Sequence, residues 1–364
     1  MKLIFVMPYM RYSGAPKMMA TVANWFAENG DDVTVCTFFA AEVTQNLNPK
    51  IKLDNLGIVR SASKIKNLTI GYAQTENKIF NYIMSRKADA IISFGDMFSV
   101  GLFKKLKSKK QCIIVSERAD PSGNGFFAKQ RKKAFENASG FVFQTEGAKK
   151  CFSESIQKRG FVIPNSINCT DVAVVPFEKR KKKIVCVGRF ELKQKRQDVL
   201  IKAFDIFYKS HPEYQLVFYG DGEDMNTSKA LAEGTSASSA ILFPGAVKPI
   251  EDYIKDASIL VMSSDYEGIP NAIIEGMNMV IPVVSTDCRP GGAKMLLEDG
   301  KYGSIVPIGD YEGLARELEK VAENPEEAYS RALAAKESLS RFEESKIKEM
   351  WIAAIGAIVN RSVK

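Results

Sequence analysis

A chain of 364 residues with 45% hydrophobic and 26% charged content is ordinary globular material, long enough for two compact domains. Its net charge of +8 is unevenly held: residues 1–170 carry 25 Lys and Arg against 13 Asp and Glu, and the remainder carries 26 against 30, so the first half should face something anionic such as nucleic acid, anionic lipid or a phosphorylated substrate. Six scattered cysteines (Cys36, Cys112, Cys151, Cys169, Cys186, Cys288), no Cys-x-x-Cys pair and a single histidine argue against a disulfide framework and a zinc site, and point to the cytoplasm.

Leu3-Ile4-Phe5-Val6-Met7 is an apolar run too short to span a membrane. Pro8 and polar Arg11-Tyr12-Ser13 stop it before a signal-peptide pattern develops, so it reads as a first buried strand. Further β-rich runs at Val33 to Phe38, Ala90 to Phe94, Cys112 to Ser116, Gly140 to Gln144 and Phe161 to Pro164 alternate with helical patterns. Such alternation predicts a parallel sheet with helices on both faces.

Two basic clusters lie in this half, Lys104-Lys105-Leu106-Lys107-Ser108-Lys109-Lys110 and Lys129-Gln130-Arg131-Lys132-Lys133, interleaved with Leu102, Phe103, Phe126 and Phe127. Apolar residues beside lysines suit insertion into an anionic membrane surface, where each basic residue contributes about 1 kcal/mol. A solvated helix face explains the same pattern. No recognised nucleic-acid module accompanies the charge, which argues against nucleic acid as the partner.

The segment Asn165 to Lys183 loses periodicity and ends in Glu178-Lys179-Arg180-Lys181-Lys182-Lys183. We expect a linker at 169–183 between a first domain at 1–168 and a second at 184–342. In the second, Ile184 to Val187, Gln215 to Tyr219, Ala240 to Phe243, Ser258 to Met262, Ile281 to Ser285 and Ser304 to Val306 form another strand series. The chain therefore reads as two doubly wound α/β domains.

At the start of the second domain, Ile184-Val185-Cys186-Val187-Gly188-Arg189-Phe190 precedes Lys193-Gln194-Lys195-Arg196-Gln197-Asp198. Gly188 permits a tight turn at the strand end, so Arg189 and a nearby lysine project from the C-terminal edge of the sheet. A cationic clamp of this kind neutralises a departing diphosphate in place of a divalent ion. A basic surface turn before a helix is the plainer alternative.

The sharpest local signal is Ser264-Asp265-Tyr266-Glu267-Gly268-Ile269-Pro270-Asn271-Ala272-Ile273-Ile274-Glu275-Gly276, after the apolar strand. Gly268 and Pro270 should form a turn, and Asn271 should open a helix whose free N–H groups and positive dipole end offer a seat for a diphosphate. Glu267 then reaches sugar hydroxyls and Glu275 accepts from ribose hydroxyls; taken singly, either acid is equally a solvated carboxylate. The tail from about Glu326 to Val359 is helical, with Trp351, Ile352, Ile355 and Ile358 forming an apolar stripe, and the helix at 343–364 is expected to cross back to the first domain.

Val187-Gly188-Arg189-Phe190, Gln194-Lys195, Tyr219-Gly220-Asp221-Gly222, Phe243-Pro244-Gly245 and the Glu267/Glu275 pair resemble, in order, the donor domain of glycosyltransferase family 4. Pro282 to Asp287, Gly291-Gly292 and Gly303 to Pro307 continue the match. The resemblance implies a GT-B fold, two Rossmann-like domains facing across a cleft, and retaining transfer from a nucleotide-diphosphate sugar without an essential metal or other cofactor. By position, Arg189 and Lys195 would stabilise the pyrophosphate, Glu267 would contact the transferred sugar and Glu275 the ribose. Gly188, Gly268 and the backbone of Ile269, Pro270 and Asn271 would lie near the phosphate, and Val247 near the base. The Arg-to-Lys spacing is one residue longer than in many members, so Lys193 stays open as an alternative to Lys195.

The first half resembles the family less densely. Tyr12-Ser13-Gly14-Ala15-Pro16 corresponds to its glycine-rich loop, where Gly14 would let backbone approach the leaving phosphate. Ile91-Ile92-Ser93-Phe94-Gly95-Asp96 and Ser116-Glu117-Arg118-Ala119-Asp120-Pro121 look like segments of members that build bacterial surface polysaccharides or lipid-linked glycans. Arg118 could stand where many relatives place a cleft histidine, since His211, in Ser210-His211-Pro212, reads as a surface turn residue.

The expected partners are a nucleotide-sugar donor, a UDP-hexose or UDP-N-acetylhexosamine by analogy, and a glycan or polyprenyl-diphosphate-linked acceptor. An anionic surface at the inner face of the cytoplasmic membrane is a candidate third, and Arg118, Lys104, Lys105, Lys132 and Lys133 are expected to face either the acceptor or that membrane. An epimerase or phosphorylase of the same architecture, or a non-catalytic sugar-nucleotide scaffold, is the competing reading.

Overall fold

The computed structural model describes residues 1–10, 14–39, 44–58, 70–94, 100–118, 121–123, 126–167 and 173–363. Its contacts gather into two units: Met1–Asn165 with Ser345–Lys364, and Ser166–Glu344.

In the first unit, strands β1 (Lys2–Met7), β2 (Asp32–Phe39), β3 (Lys52–Ile58), β4 (Ala90–Phe94), β5 (Ile113–Glu117), β6 (Gly140–Phe143) and β7 (Gly160–Val162) form a sheet in the order β3-β2-β1-β4-β5-β6-β7. Every pairing is parallel. Strand side chains alternate between faces, and both faces are covered. Leu3, Phe5 and Met7 enter a core with Trp25 and Phe26 of helix Gly14–Glu28, whereas Ile4 and Val6 enter another with Leu102, Phe103 and Phe135. That double burial explains why β1 reads as an unbroken apolar run.

The C-terminal helix Glu344–Val363 belongs to the first of these cores through Trp351, Ile355 and Ile358, and Trp351 stacks on Phe94 at 5.8 Å. Strand β3 escapes a pattern search because it is an edge strand, half-exposed along its length, with Asp54, Asn55 and Gly57 in it. It is fastened by its carboxylate: Asp54 accepts from the Tyr82 hydroxyl at 2.5 Å and from Arg86 at 2.6 Å.

In the second unit, β8 (Lys181–Val187), β9 (Gln215–Tyr219), β10 (Ile241–Gly245), β11 (Ala257–Met262), β12 (Val283–Thr286) and β13 (Ser304–Val306) form a parallel sheet in the order β10-β9-β8-β11-β12-β13. Ile184 and Cys186 pack with Phe204 and Phe207 of helix Gln197–Tyr208 on one face; Val185, Leu260 and Met262 pack with Ile273 and Met277 of helix Asn271–Asn278 on the other. Both Rossmann-like sheets anticipated from the sequence are thus present, seven and six strands among the described residues.

The charge run at 178–183 is not all linker. Lys181 to Lys183 open β8, and both Lys181 and Lys183 bind Asp256, whose carboxyl burial alone would raise but which these lysines hold below its ordinary value. Arg180 donates to the carbonyls of Ala257 at 2.7 Å and Met279 at 2.9 Å. Charge in this segment serves to seat the strand. Among the described residues no helix is long and apolar enough to cross a membrane.

Candidate active site

Strand order reverses beside β8, between it and β11, so the loops that leave their C-terminal ends meet at a topological switch point. The loop after β8 is pressed against the loop after β9. The Gly188 amide donates to Tyr219 at 3.0 Å and the Phe190 amide to Asp221 at 2.9 Å. Gly220, at φ 146°, comes so near that a Cβ there would lie 2.0 Å from the Gly188 carbonyl oxygen. Tyr219-Gly220-Asp221-Gly222 is therefore scaffold beneath the Gly188-Arg189-Phe190 turn.

The short helix Leu192–Lys195 follows, with the Leu192 amide held by the Asp224 carboxylate at 2.7 Å. Lys195 Nζ reaches Glu267 Oε1 at 2.5 Å, and the same oxygen accepts from Ser264 Oγ at 2.8 Å. The pair is largely shielded, with side-chain exposures of 20% for Lys195 and 11% for Glu267. Lys193 is exposed, so Lys195 is the lysine that meets the acid. Arg189 is not brought to this pair: its side chain is 74% exposed and its ion pair is with Glu191 at 3.5 Å.

The loop carrying Glu267 is tied down on both sides. Asp265 N–H donates to the Gln194 carbonyl at 2.8 Å, Gln194 Nε2 to the Tyr266 carbonyl at 3.0 Å, and Ser263 Oγ to the Lys195 carbonyl at 2.8 Å. Toward β12, Glu267 N–H donates to the Arg289 carbonyl at 2.7 Å, and Thr286 Oγ1 to the Ser264 carbonyl at 2.5 Å. Gly292 packs so tightly on this turn that a Cβ would lie 1.8 Å from the Gly268 carbonyl oxygen.

Helix Asn271–Asn278 has no side-chain N-cap, and the amides of Asn271 and Ala272 bind no acceptor among the described residues. Gly268, Ile269 and Pro270 thus lead into an anion-seeking helix end. Glu275 is half-buried; burial first, then the Glu251 charge, raises its carboxyl above the ordinary range. Val247 packs against the same core as Ile269 and Ile274. Cys186 and Cys288 are buried nearby, and burial pushes each thiol up to about 12, so neither is a nucleophile at neutral pH.

The first unit presents Gly14 as the first residue of its helix, with nothing among the described residues within 4 Å of a built Cβ. Tyr12, Ser13, Gly95, Asp96, Ala119 and Asp120 lie outside the described residues. Arg118 lies over Trp351 at 5.2 Å and Phe94 at 5.5 Å, donating to Ser116 Oγ at 2.7 Å and Asn165 Oδ1 at 3.0 Å. Burial, opposed by Glu117, lowers its pKa to about 9.

Two expectations are corrected. Leu102 and Phe103 do not interleave with lysines on a surface, because the turn of helix Val100–Ser108 sends them into the core and leaves Lys104 and Lys105 outside. In the second cluster Lys132 lies over the Phe152 ring at 5.8 Å and Lys133 is exposed, while the side chains of Phe126 and Phe127 lie outside the described set. His211 does stand in a turn, its carbonyl accepting from the Tyr214 amide at 3.2 Å, but its ring is largely buried, stacked on Phe207 at 4.7 Å, rather than at the surface. Arg196, Ser264 and Asp265 also build the site, and their signal in the sequence is a Ser-Asp pair at a strand end and a basic residue beside Lys195.

The family described as Glycosyl transferases group 1 matches residues 181–324, which hold the Lys195–Glu267 pair. The lipopolysaccharide core biosynthesis glycosyltransferase LpsE of Rhizobium meliloti is 31% identical over 315 residues, 85% of each chain. The chain belongs to the group 1 glycosyltransferases. Another relative of this glycosyltransferase, an N-acetylgalactosaminyltransferase of Campylobacter jejuni named for a diphospho-undecaprenol-linked acceptor, is 24% identical over 370 residues, 99% of each chain. Other curated relatives are matched over less, down to 23% of their own length. Among solved structures, Anabaena HepE in complex with UDP shares the glycosyltransferase's fold at a TM-score of 0.74 and 16% identity, over 98% of this chain and 100% of that one.

Proposed function

We propose that this glycosyltransferase moves a hexose or N-acetylhexosamine from UDP to a glycan or polyprenyl-diphosphate-linked acceptor of surface polysaccharide assembly, retaining anomeric configuration and needing no metal. The observation that carries the reading is the shielded Lys195–Glu267 pair beside the uncapped start of helix Asn271–Asn278. Fixed cations and N–H dipoles in a shielded site stabilise a developing diphosphate far more than water does. In the free protein Lys195 is neutralised by Glu267; a pyrophosphate takes over the ammonium and releases Glu267 to accept from sugar hydroxyls. Arg189, held only at the surface, is able to turn onto the phosphates. Glu275, whose carboxylate has no hydrogen-bonding partner among the described residues, accepts from ribose hydroxyls.

In the proposed step, the bond from the anomeric carbon to the leaving phosphate oxygen breaks through an oxocarbenium-like state. The acceptor hydroxyl forms its bond on the same face, and its proton passes to the leaving phosphate. Names of the Rhizobium, Campylobacter and Anabaena relatives support the acceptor class and UDP. The basic side chains Lys104, Lys105, Lys132 and Lys133 suit an acceptor embedded in an anionic membrane at its cytoplasmic face.

A panel of nucleotide sugars tested for protection against thermal unfolding should single out UDP sugars, since hundredfold excess over Kd adds about 2.7 kcal/mol of stability. Turnover should persist in EDTA, and Lys195→Ala should lower kcat by about 10²- to 10³-fold. An inverted product anomer, seen by NMR, would overturn the retaining mechanism.

A further inference from the structure

Arg196 holds a backbone conformation that its own side chain disfavours. It stands at φ 52°, ψ 45°, in the left-handed region, where it ends helix Leu192–Lys195 and opens helix Gln197–Tyr208. A non-glycine residue keeps such a conformation only where its surroundings hold it. Here the guanidinium joins two carboxylates. Nε and Nη2 donate to Asp198 at 3.0 Å each, and Nη1 donates to both oxygens of Asp265, at 3.2 and 3.3 Å. Asp198 lies in the first turn of the following helix. Asp265, 69 residues away, lies in the loop that carries Glu267. Successive side chains thus diverge from one turn, Lys195 to Glu267 and Arg196 to Asp265.

We propose that Arg196 is a positioning residue: its bridge to Asp265 clamps the 263–267 loop onto the Leu192–Lys195 turn and sets the Lys195 ammonium opposite Glu267, where the diphosphate is received. The inference rests on the donor-site reading and deepens it. Three other ties join the loops through backbone groups, Gln194 to Tyr266, Ser263 to Lys195 and the Asp265 amide to the Gln194 carbonyl; the Arg196 bridge is the second ion pair between the loops, one residue from the Lys195–Glu267 pair. A turn-forming role alone makes a different prediction, because glycine adopts the left-handed turn without strain. If the turn were all that mattered, glycine would serve at 196 as well as arginine.

The test uses the full chain with Arg196→Gly, which keeps the turn and loses the bridge, and Asp265→Asn, which weakens the bridge from the other side without altering residue 196. Crystal structures of the free variants should show Lys195 Nζ and Glu267 parted beyond hydrogen-bond distance. UDP, titrated calorimetrically, should bind each about 10-fold more weakly, and the double variant no more weakly than either single one, because both remove one shared interaction. Lys195 and Glu267 still in contact in both free variants would overturn the proposal, as would a double variant whose loss is the product of the single losses. Should the unaltered protein take up no UDP, the UDP-donor reading fails by itself, and the free variant structures still decide the role of Arg196.

Discussion

Glu275 is where function and stability pull apart at the scale of one residue. Its carboxyl lies above the ordinary value of 4.5 because burial, then the Glu251 charge, disfavours ionisation. For a raised carboxyl the folded protein binds more protons than the unfolded chain above pH 4.5, so stability falls as pH rises through that interval and stays lower beyond it. Glu275→Gln should therefore raise Tm at pH 7 by about 1–3 °C and give no gain below pH 4.5, as scanning calorimetry at the two pH values would show. On the proposed function, the same variant should weaken UDP binding about 10-fold, since it withdraws the charged acceptor assigned to the ribose. A variant both more stable and undiminished in UDP affinity would remove Glu275 from the donor site.

At the scale of elements, the loop that carries Glu267 is shaped by close backbone packing. Helix Gly292–Leu296 abuts the turn at Gly268 with no room for a methyl group, its built Cβ only 1.8 Å from the Gly268 carbonyl oxygen and 3.1 Å from Pro270 Cδ. Gly292→Ala must displace the turn that leads into helix Asn271–Asn278. Overpacking of this kind costs about 1–3 kcal/mol, so Tm should fall by several degrees and UDP affinity should fall with it. Gly14→Ala is the contrast: among the described residues nothing lies within 4 Å of that Cβ, so folding should be little changed. Any loss of UDP affinity in Gly14→Ala then reports ligand approaching the start of helix Gly14–Glu28, and unchanged affinity places the ligand elsewhere.

For the whole molecule, the excess positive charge of residues 1–170 predicts association with anionic lipid vesicles. Because Leu102 and Phe103 are core residues rather than surface wedges, that association should be electrostatic and should vanish near about 0.5 M salt in a co-sedimentation assay; binding that survives such salt, or is equal on neutral vesicles, would contradict it. The two Rossmann-like sheets were legible from the chain alone, because strands buried on both faces must be continuously apolar and leave a pattern in local sequence. Glu267, the helix beginning at Asn271 and a lysine at 193 or 195 were legible for a similar reason, since strand ends and turns mark where side chains emerge at a sheet's edge; that Lys195 is the one to meet Glu267 came from the fold. Strand β3 was not, because an edge strand needs no apolar run. Nor was the pairing of Lys195 with Glu267 across 72 residues, or the bridge from Arg196 to Asp265. Burial periodicity is written locally in each segment, whereas those contacts exist only because β8 and β11 lie side by side in the folded sheet and bring their loops together.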